Sequence, residues 1–183
     1  MDNIAAISYA SGATVFLILS LVLMTGQRDR PHKMALMLAS LVSAIWLGVT
    51  AWSAFDNASA LSSYLLEPLR DLALLAFIVR MLSAAYSAPA EATRYFRRTL
   101  SMLASFALLV TMMVMYRGAA GHPAPAAGGI DLLFAGFLVM SIAGLVLVEQ
   151  LIRNARAVSR RSVKYLCMGL GALFAYDFYL YSH

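Results

Sequence analysis

The stretch from Arg153 to Lys164 reads RNARAVSRRSVK and separates two long apolar parts of the chain. Two other short polar segments, Gly26 to Lys33 and Ser87 to Arg98, are also basic. The basic residues of the three segments are Arg28, Arg30 and Lys33; Arg94, Arg97 and Arg98; and Arg153, Arg156, Arg160, Arg161 and Lys164. The segments between them, 56–67 and 118–129, contain no lysine or arginine. Basic segments therefore alternate with uncharged or acidic ones.

The remainder of the chain is apolar enough to be solvated by lipid. Of the 183 residues of the whole chain, 62% are hydrophobic and 13% are charged. An ordinary soluble domain has about 25% charged residues. About 20 apolar residues at a helical rise of about 1.5 Å cross the hydrocarbon layer. We therefore predict an all-α membrane protein with six transmembrane helices in one domain. The predicted spans are 4–25, 34–55, 68–86, 99–116, 130–152 and 163–181.

The alternation of basic segments predicts how these helices thread the bilayer. Lysine and arginine near the ends of spans are retained on the cytoplasmic side, so both termini are expected outside. The expected location is the bacterial inner membrane. The first apolar stretch follows an acidic amino terminus and is too long for a signal-peptide core, which favours an uncleaved first span.

The charge and the cysteine content restrict the partners. The net charge is +5 and the isoelectric point about 9.6, but the basic residues are dispersed over short segments and do not form the aromatic-studded basic face of a nucleic-acid-binding protein. The expected partner is the lipid bilayer, with anionic lipid opposite the basic segments. Cys167 is the single cysteine, so no disulfide or cysteine-based metal site is expected.

A polar cluster is expected at the outer mouth of the third span. Pro68 suits the first turn of a helix, and Glu67, Arg70 and Asp71 follow helical spacings of three and four that place them on one face. Two interpretations explain these charges. In the first they are solvated at the start of a helix, and in the second they line a cavity. Asp177 of the sixth span is expected in the same layer, with Arg70 as its preferred partner, because charges inside spans usually find partners.

A second polar pair is open to two interpretations. Arg80 lies about 9 Å from the inner end of its span, within reach of the headgroups. Its alternative partner is Glu149, although Glu149 could equally pair with Arg153 one helical turn along its own helix.

Small residues predict faces where helices pack closely. Spacings of four residues bring small side chains onto one face of the second span and of the sixth, which lets backbones approach one another. These faces bury against each other or against a second copy of the chain, and a homodimer is one possibility. The residues are Ser40, Ala44 and Gly48, and Cys167, Gly171 and Ala175.

The sequence offers little for catalysis. His32, His122 and His183 have no metal-binding spacing to other ligands, and no phosphate-binding glycine loop or serine-nucleophile motif occurs. We therefore expect no catalytic residue, metal or cofactor in these 183 residues.

Two strings near the end of the chain, VEQLIRN at 148–154 and KYLCMGLGALFAYDFYLYS at 164–182, resemble the membrane region of the PrsK sensor histidine kinases. EPLRD at 67–71 followed by FIVR at 77–80 is similar in matching order. That family accompanies the exosortase/PEP-CTERM sorting and exopolysaccharide systems of Gram-negative bacteria. The remaining spans match in hydropathy alone.

The resemblance implies a multi-span sensor followed by a cytoplasmic GAF-like region, a phospho-acceptor helix and an ATP-binding kinase domain that acts on a response regulator. ATP and Mg are then expected in the kinase domain, which is outside these residues. Six spans that start outside also finish outside, so a cytoplasmic kinase requires an odd number of further spans. On this interpretation the chain is a truncated signal-input domain.

Two other classes of function remain open. A small transporter or permease would carry midspan polar residues and broken helices at corresponding places in two halves, and the Pro68 region is the one candidate for such a break. An intramembrane enzyme of envelope polymer chemistry is favoured less, since the chain offers neither a nucleophile with its base nor a metal site.

Overall fold

The computed structural model describes residues 2–25, 31–56, 61–85, 89–120, 132–154 and 160–182. All of these residues are α-helical, which confirms the all-α prediction. The six helices are α1 (Asp2–Thr25), α2 (Pro31–Asp56), α3 (Leu61–Ala85), α4 (Pro89–Ala120), α5 (Leu132–Asn154) and α6 (Arg160–Ser182). Arg28, Arg30, Arg156, Asp131, His122 and His183 lie outside the described residues.

Four of the six helices are long and apolar enough to cross a membrane: Ile4–Thr25, Lys33–Phe55, Thr93–Ala119 and Leu132–Asn154. In the first of these, 6% of the most apolar window is buried within the protein. Apolar side chains exposed along a whole helix need an apolar solvent. The helices therefore support a membrane-embedded protein. Charges in α3, and Asp177 with several tyrosines in α6, make these two helices more polar, so six spans and their orientation stay predictions.

The start of α3 differs from the prediction. The third span was expected to begin at Pro68, whereas α3 begins at Leu61 and contains Pro68 in its interior. Proline has the backbone φ of a helix but removes one hydrogen bond, so the helix continues at a local cost. Glu67, Arg70 and Asp71 consequently lie in the body of a helix and not at its first turn.

The start of α4 differs as well. The segment 87–98 was expected to be a loop, but α4 begins at Pro89 and includes Arg94, Arg97 and Arg98. Proline is favoured at the first position of a helix, and hydropathy detects the apolar part of a helix and not its polar turns. At the other end, Arg117 lies in the last turn of α4, next to a segment predicted to face outward.

The chain divides into two compact units, Met1–Phe77 and Ile78–His183, with the boundary inside α3. In the first unit α1 packs along α2. Gly12 of α1 allows this close approach, because a Cβ there would lie 3.3 Å from Leu47 Cδ1. A single domain was predicted, and that prediction is not tested by this division.

In the second unit α5 packs along α6 and also contacts α4. The buried residues of α5 recur at spacings of three and four, so they form one face: Leu133, Gly136, Phe137, Met140, Ser141, Gly144, Leu147, Val148 and Leu151. Two glycines on this face receive large side chains. A Cβ at Gly144 would lie 2.5 Å from Phe174 of α6, and one at Gly136 would lie 2.9 Å from Val110 of α4.

Candidate functional site

Helix α3 carries three buried charged residues within two turns. The residues Glu67, Arg70 and Asp71 are 4%, 4% and 0% exposed. A solvated helix start would leave such side chains in contact with water. Their burial does not fit a solvated helix start, and a cavity lined by these charges stays a prediction.

The centre of the cluster is an ion pair between neighbours in the sequence. Arg70 donates two hydrogen bonds to the same oxygen of Asp71, from Nε at 3.1 Å and from Nη2 at 2.8 Å to Oδ1. The other carboxylate oxygen, Oδ2, is buried and has no hydrogen-bond partner among the described residues. Charge-assisted bonds of this kind are strong, but they leave Asp71 with one unused acceptor.

The guanidinium group of Arg70 also lies over an aromatic ring of the neighbouring helix. Its Cζ is 4.2 Å from the centroid of Trp46 in α2, the geometry of a cation–π contact. Trp46 donates a hydrogen bond from Nε1 to the carbonyl oxygen of Ser63 at 3.2 Å and meets Tyr9 of α1 edge to face at 6.5 Å. The charged pair is therefore connected to all three helices of the first unit.

Pro68 lies close to the part of α3 that makes this contact. Proline has no N–H for the carbonyl four residues earlier, which is that of Tyr64. The carbonyl of Ser63, one residue before it, accepts the Trp46 hydrogen bond. A tryptophan donor is thus placed beside the weakened turn, and Pro68 itself is fully buried.

Asp177, the fourth member of the predicted cluster, is buried at 3% exposure. It lies in the second unit, on the α6 face that also contains the buried Cys167, Leu170 and Phe174. Its pairing with Arg70 stays a prediction.

Two partners of Glu149 were left open by the sequence, and the structure describes one of them. Glu149 pairs with Arg153, with Oε1 to Nη2 at 2.8 Å, and both side chains are exposed. A partner one turn away on the same helix is reached without moving a helix. Arg80 is exposed and lies with Cζ 5.9 Å from the ring of Phe96 in α4.

The predicted small-residue faces are buried in part. Ser40 and Ala44 are buried, as is Cys167, while a Cβ at Gly48 would meet nothing within 4 Å. Gly171 would place a Cβ at an ordinary 3.7 Å from Val148, and Ala175 is exposed. The described residues therefore show no close packing at Gly48 and Ala175, and their contact with another helix or a second copy stays a prediction.

Two contacts, one in each compact unit, were not anticipated from the sequence. Trp46 is a partner on another helix, which no spacing within α3 could indicate. The ring of Phe174 packs directly against Gly144. Gly136 and Gly144 are eight residues apart and lie on one helical face, and this spacing could have identified Gly144 as a packing position.

Comparison with known proteins does not identify the chain. No protein-family model matches it, and no curated protein or solved structure is significantly similar to it. Among the described residues no group of three His, Cys, Asp or Glu side chains could hold a metal ion. The site is thus defined by its own geometry: a buried ion pair, with its arginine stacked on a tryptophan, in a helix that contains a proline.

Proposed function

We propose that the chain is the membrane-embedded signal-input domain of a two-component sensor histidine kinase linked to exopolysaccharide or PEP-CTERM protein regulation. It would transmit a stimulus to a cytoplasmic kinase that uses ATP and Mg and phosphorylates a response regulator. The sequence resemblance at 67–80 and 148–182 supports this proposal, together with the buried Arg70–Asp71 pair. In the proposed arrangement six helices cross the inner membrane with both termini outside.

The observation that carries the proposal is the stacking of the Arg70–Asp71 pair on Trp46. Signal transmission across a membrane requires helices with two packings of similar free energy and a stimulus that binds one of them better. A buried ion pair contributes little net stability, because desolvation offsets its attraction. Separating the two buried charges is costly, so the pair holds one packing of the helices until a stimulus supplies a replacement partner for one of them.

The geometry indicates which movement would be transmitted. Trp46 in α2 contacts α3 twice, through the Arg70 guanidinium and through the Ser63 carbonyl, and it contacts α1 through Tyr9. A displacement of Arg70 changes the contacts of Trp46 and hence the packing of α2 on α3. The unused acceptor Asp71 Oδ2 is where a stimulus that supplies a hydrogen-bond donor would favour one packing.

The proposal predicts that signalling depends on the shape of this contact and not on charge alone. In the longer protein that carries the kinase, Arg70→Lys keeps the charge but loses the planar donor pair and the flat stacking surface. Trp46→Leu removes the stacking partner. We expect both variants to shift autophosphorylation in the same direction by severalfold at normal membrane abundance.

Leu69→Ala is the matched control, because Leu69 is the neighbour of Arg70 in α3 and is 50% exposed. It should leave the phosphorylation level within about twofold of the wild type, as expected of a surface substitution. Wild-type output from both Arg70→Lys and Trp46→Leu would exclude the cluster from signalling. A coding region that lacks a kinase beyond His183 would exclude the kinase itself.

The alternative is a small transporter or permease. The specific support for a transporter was a helix broken at Pro68. However, α3 is helical from Leu61 to Ala85 and continues through that residue. Flux of a solute into liposomes that contain the chain is the experiment that would favour it.

A further inference from the structure

Helix α4 begins with an unusual distribution of charge. Arg94, Arg97 and Arg98 follow one another at spacings of three and one, so they share one face of the helix, and all three are exposed. Like charges at these spacings repel one another. An anion against this face would relieve the repulsion.

The described residues provide no carboxylate ion pair for this face. The described salt bridges join Arg70 to Asp71 and Arg153 to Glu149. The acid in the sequence of this segment is Glu91, so the three arginines leave 89–98 with a net charge of +2. Three exposed arginines on one face of a helix are a surface that an anionic ligand fits by charge.

The opposite side of the same segment is covered by the protein. The Phe96 ring is half-buried and lies under the guanidinium of Arg80 from the end of α3. Tyr95 is 42% exposed beside the arginines, and tyrosines are enriched where membrane meets water. The segment is consequently fixed on one side and presents an arginine and tyrosine surface on the other.

The length of α4 places this surface at the membrane boundary. Its 32 residues extend about 48 Å at a rise of about 1.5 Å, whereas the hydrocarbon layer is about 30 Å thick. The apolar part of α4 begins at Thr99, so Arg98 lies at the boundary and Arg94 about 7 Å beyond it. This is the depth of phosphate groups in lipid headgroups.

We propose that Arg94, Arg97 and Arg98, flanked by Tyr95, form a binding site for the headgroup of an anionic phospholipid. The phosphodiester carries a negative charge that complements the three arginines, and guanidinium groups bind phosphate oxygens in pairs. The inference rests on the proposed membrane placement of α4 but is independent of any signalling role. It adds a lipid ligand, and with it dependence on membrane composition, to the proposed input domain.

Native mass spectrometry of the detergent-solubilised, delipidated chain tests this site. The chain is titrated with phosphatidylglycerol, with phosphatidylcholine and with inorganic phosphate, and the Kd for the first bound molecule is compared. We expect phosphatidylglycerol to bind at least about tenfold more tightly than phosphatidylcholine. The triple variant R94Q/R97Q/R98Q should weaken phosphatidylglycerol binding by about fivefold for each arginine removed. The triple lysine variant R94K/R97K/R98K should retain most of the preference.

Each outcome decides between explanations. Unchanged phosphatidylglycerol affinity in the glutamine variant would overturn the site, since other basic residues would then be responsible. Inorganic phosphate that binds as tightly as the lipid would show a soluble anion to be the ligand and would also overturn it. Circular dichroism checks that the variants remain helical, and R94Q/R98Q replaces the triple variant if that one does not fold. Kinase output is not measured, so the result does not depend on the proposed function.

Discussion

At the scale of single residues, the Arg70–Asp71 pair combines a strong interaction with a large desolvation cost. Arg70 and Asp71 are 4% and 0% exposed, and one oxygen of Asp71 has no hydrogen bond among the described residues. Removing one member of a buried pair costs about 3–5 kcal/mol, whereas replacing both with apolar residues is often neutral. The pair is therefore better suited to holding one arrangement of helices than to adding stability.

A double-mutant cycle on this pair gives the first stability prediction. Arg70→Met leaves the Asp71 carboxylate buried without its guanidinium, and we expect a loss of about 3–5 kcal/mol in the free energy of unfolding. Arg70→Met with Asp71→Leu removes both charges and should be more stable than Arg70→Met alone. The free energies are measured by titration with sodium dodecyl sulfate in mixed micelles. A double variant that is less stable than either single variant would contradict this prediction.

The exposed Glu149–Arg153 pair is the control for that cycle. Its side chains are 60% and 75% exposed, and exposed pairs one helical turn apart contribute about 0.3–0.5 kcal/mol. Glu149→Gln should therefore change the free energy of unfolding by less than about 1 kcal/mol. If Glu149→Gln lowered the free energy of unfolding as much as Arg70→Met does, burial would not determine the cost of removing one member of an ion pair.

Residue spacing predicted the members of the cluster but not their contacts. Glu67, Arg70 and Asp71 were found because charges are rare in apolar helices. The contact between Arg70 and Asp71 was missed, since adjacent positions on a helix do not face each other and the long arginine side chain has to fold back. Trp46 was missed because a contact between helices depends on tertiary packing.

At the scale of the helices, hydropathy gave the number and type of elements but not their ends. The apolar centres of all six helices were predicted, because an apolar stretch long enough to cross the bilayer forms a helix in lipid. The extensions of α3 to Leu61 and of α4 to Pro89 consist of polar or mixed turns. Hydropathy detects the apolar length of a helix and not the polar turns by which it extends.

The contact between α5 and α6 gives a second stability prediction. At Gly144 an added Cβ would lie 2.5 Å from Cδ1 of Phe174, which is fully buried. Gly144→Ala should therefore cost about 1–3 kcal/mol through overpacking, although alanine favours a helix more than glycine does. Thermal unfolding in detergent measures the change. A second substitution, Phe174→Leu, should recover part of the loss.

Gly169→Ala is the matched control in α6, because a Cβ there would meet nothing within 4 Å. This variant should be as stable as the wild type or more stable, by up to about 1 kcal/mol. Equal stability of Gly144→Ala and Gly169→Ala would show that the close packing on Phe174 is not formed in the protein.

At the scale of the whole molecule, the proposed topology depends on the bilayer as solvent and on the basic segments, which set the direction of each helix. Four described helices are long and apolar enough to span a membrane. Helices α3 and α6 are more polar, and Arg117 ends α4 on the side predicted to face outward. Six crossings, including those of α3 and α6, are therefore the prediction that experiment has to test.

The most direct test is a topology map made with reporter fusions after each helix. Alkaline phosphatase is active in the periplasm and green fluorescent protein fluoresces in the cytoplasm. We predict cytoplasmic fusions within 26–30, 86–88 and 155–159, and periplasmic fusions within 57–60 and 121–131. Periplasmic phosphatase activity from fusions beside Arg94 or Arg160, or purification of the chain as a monodisperse protein without detergent, would contradict the account.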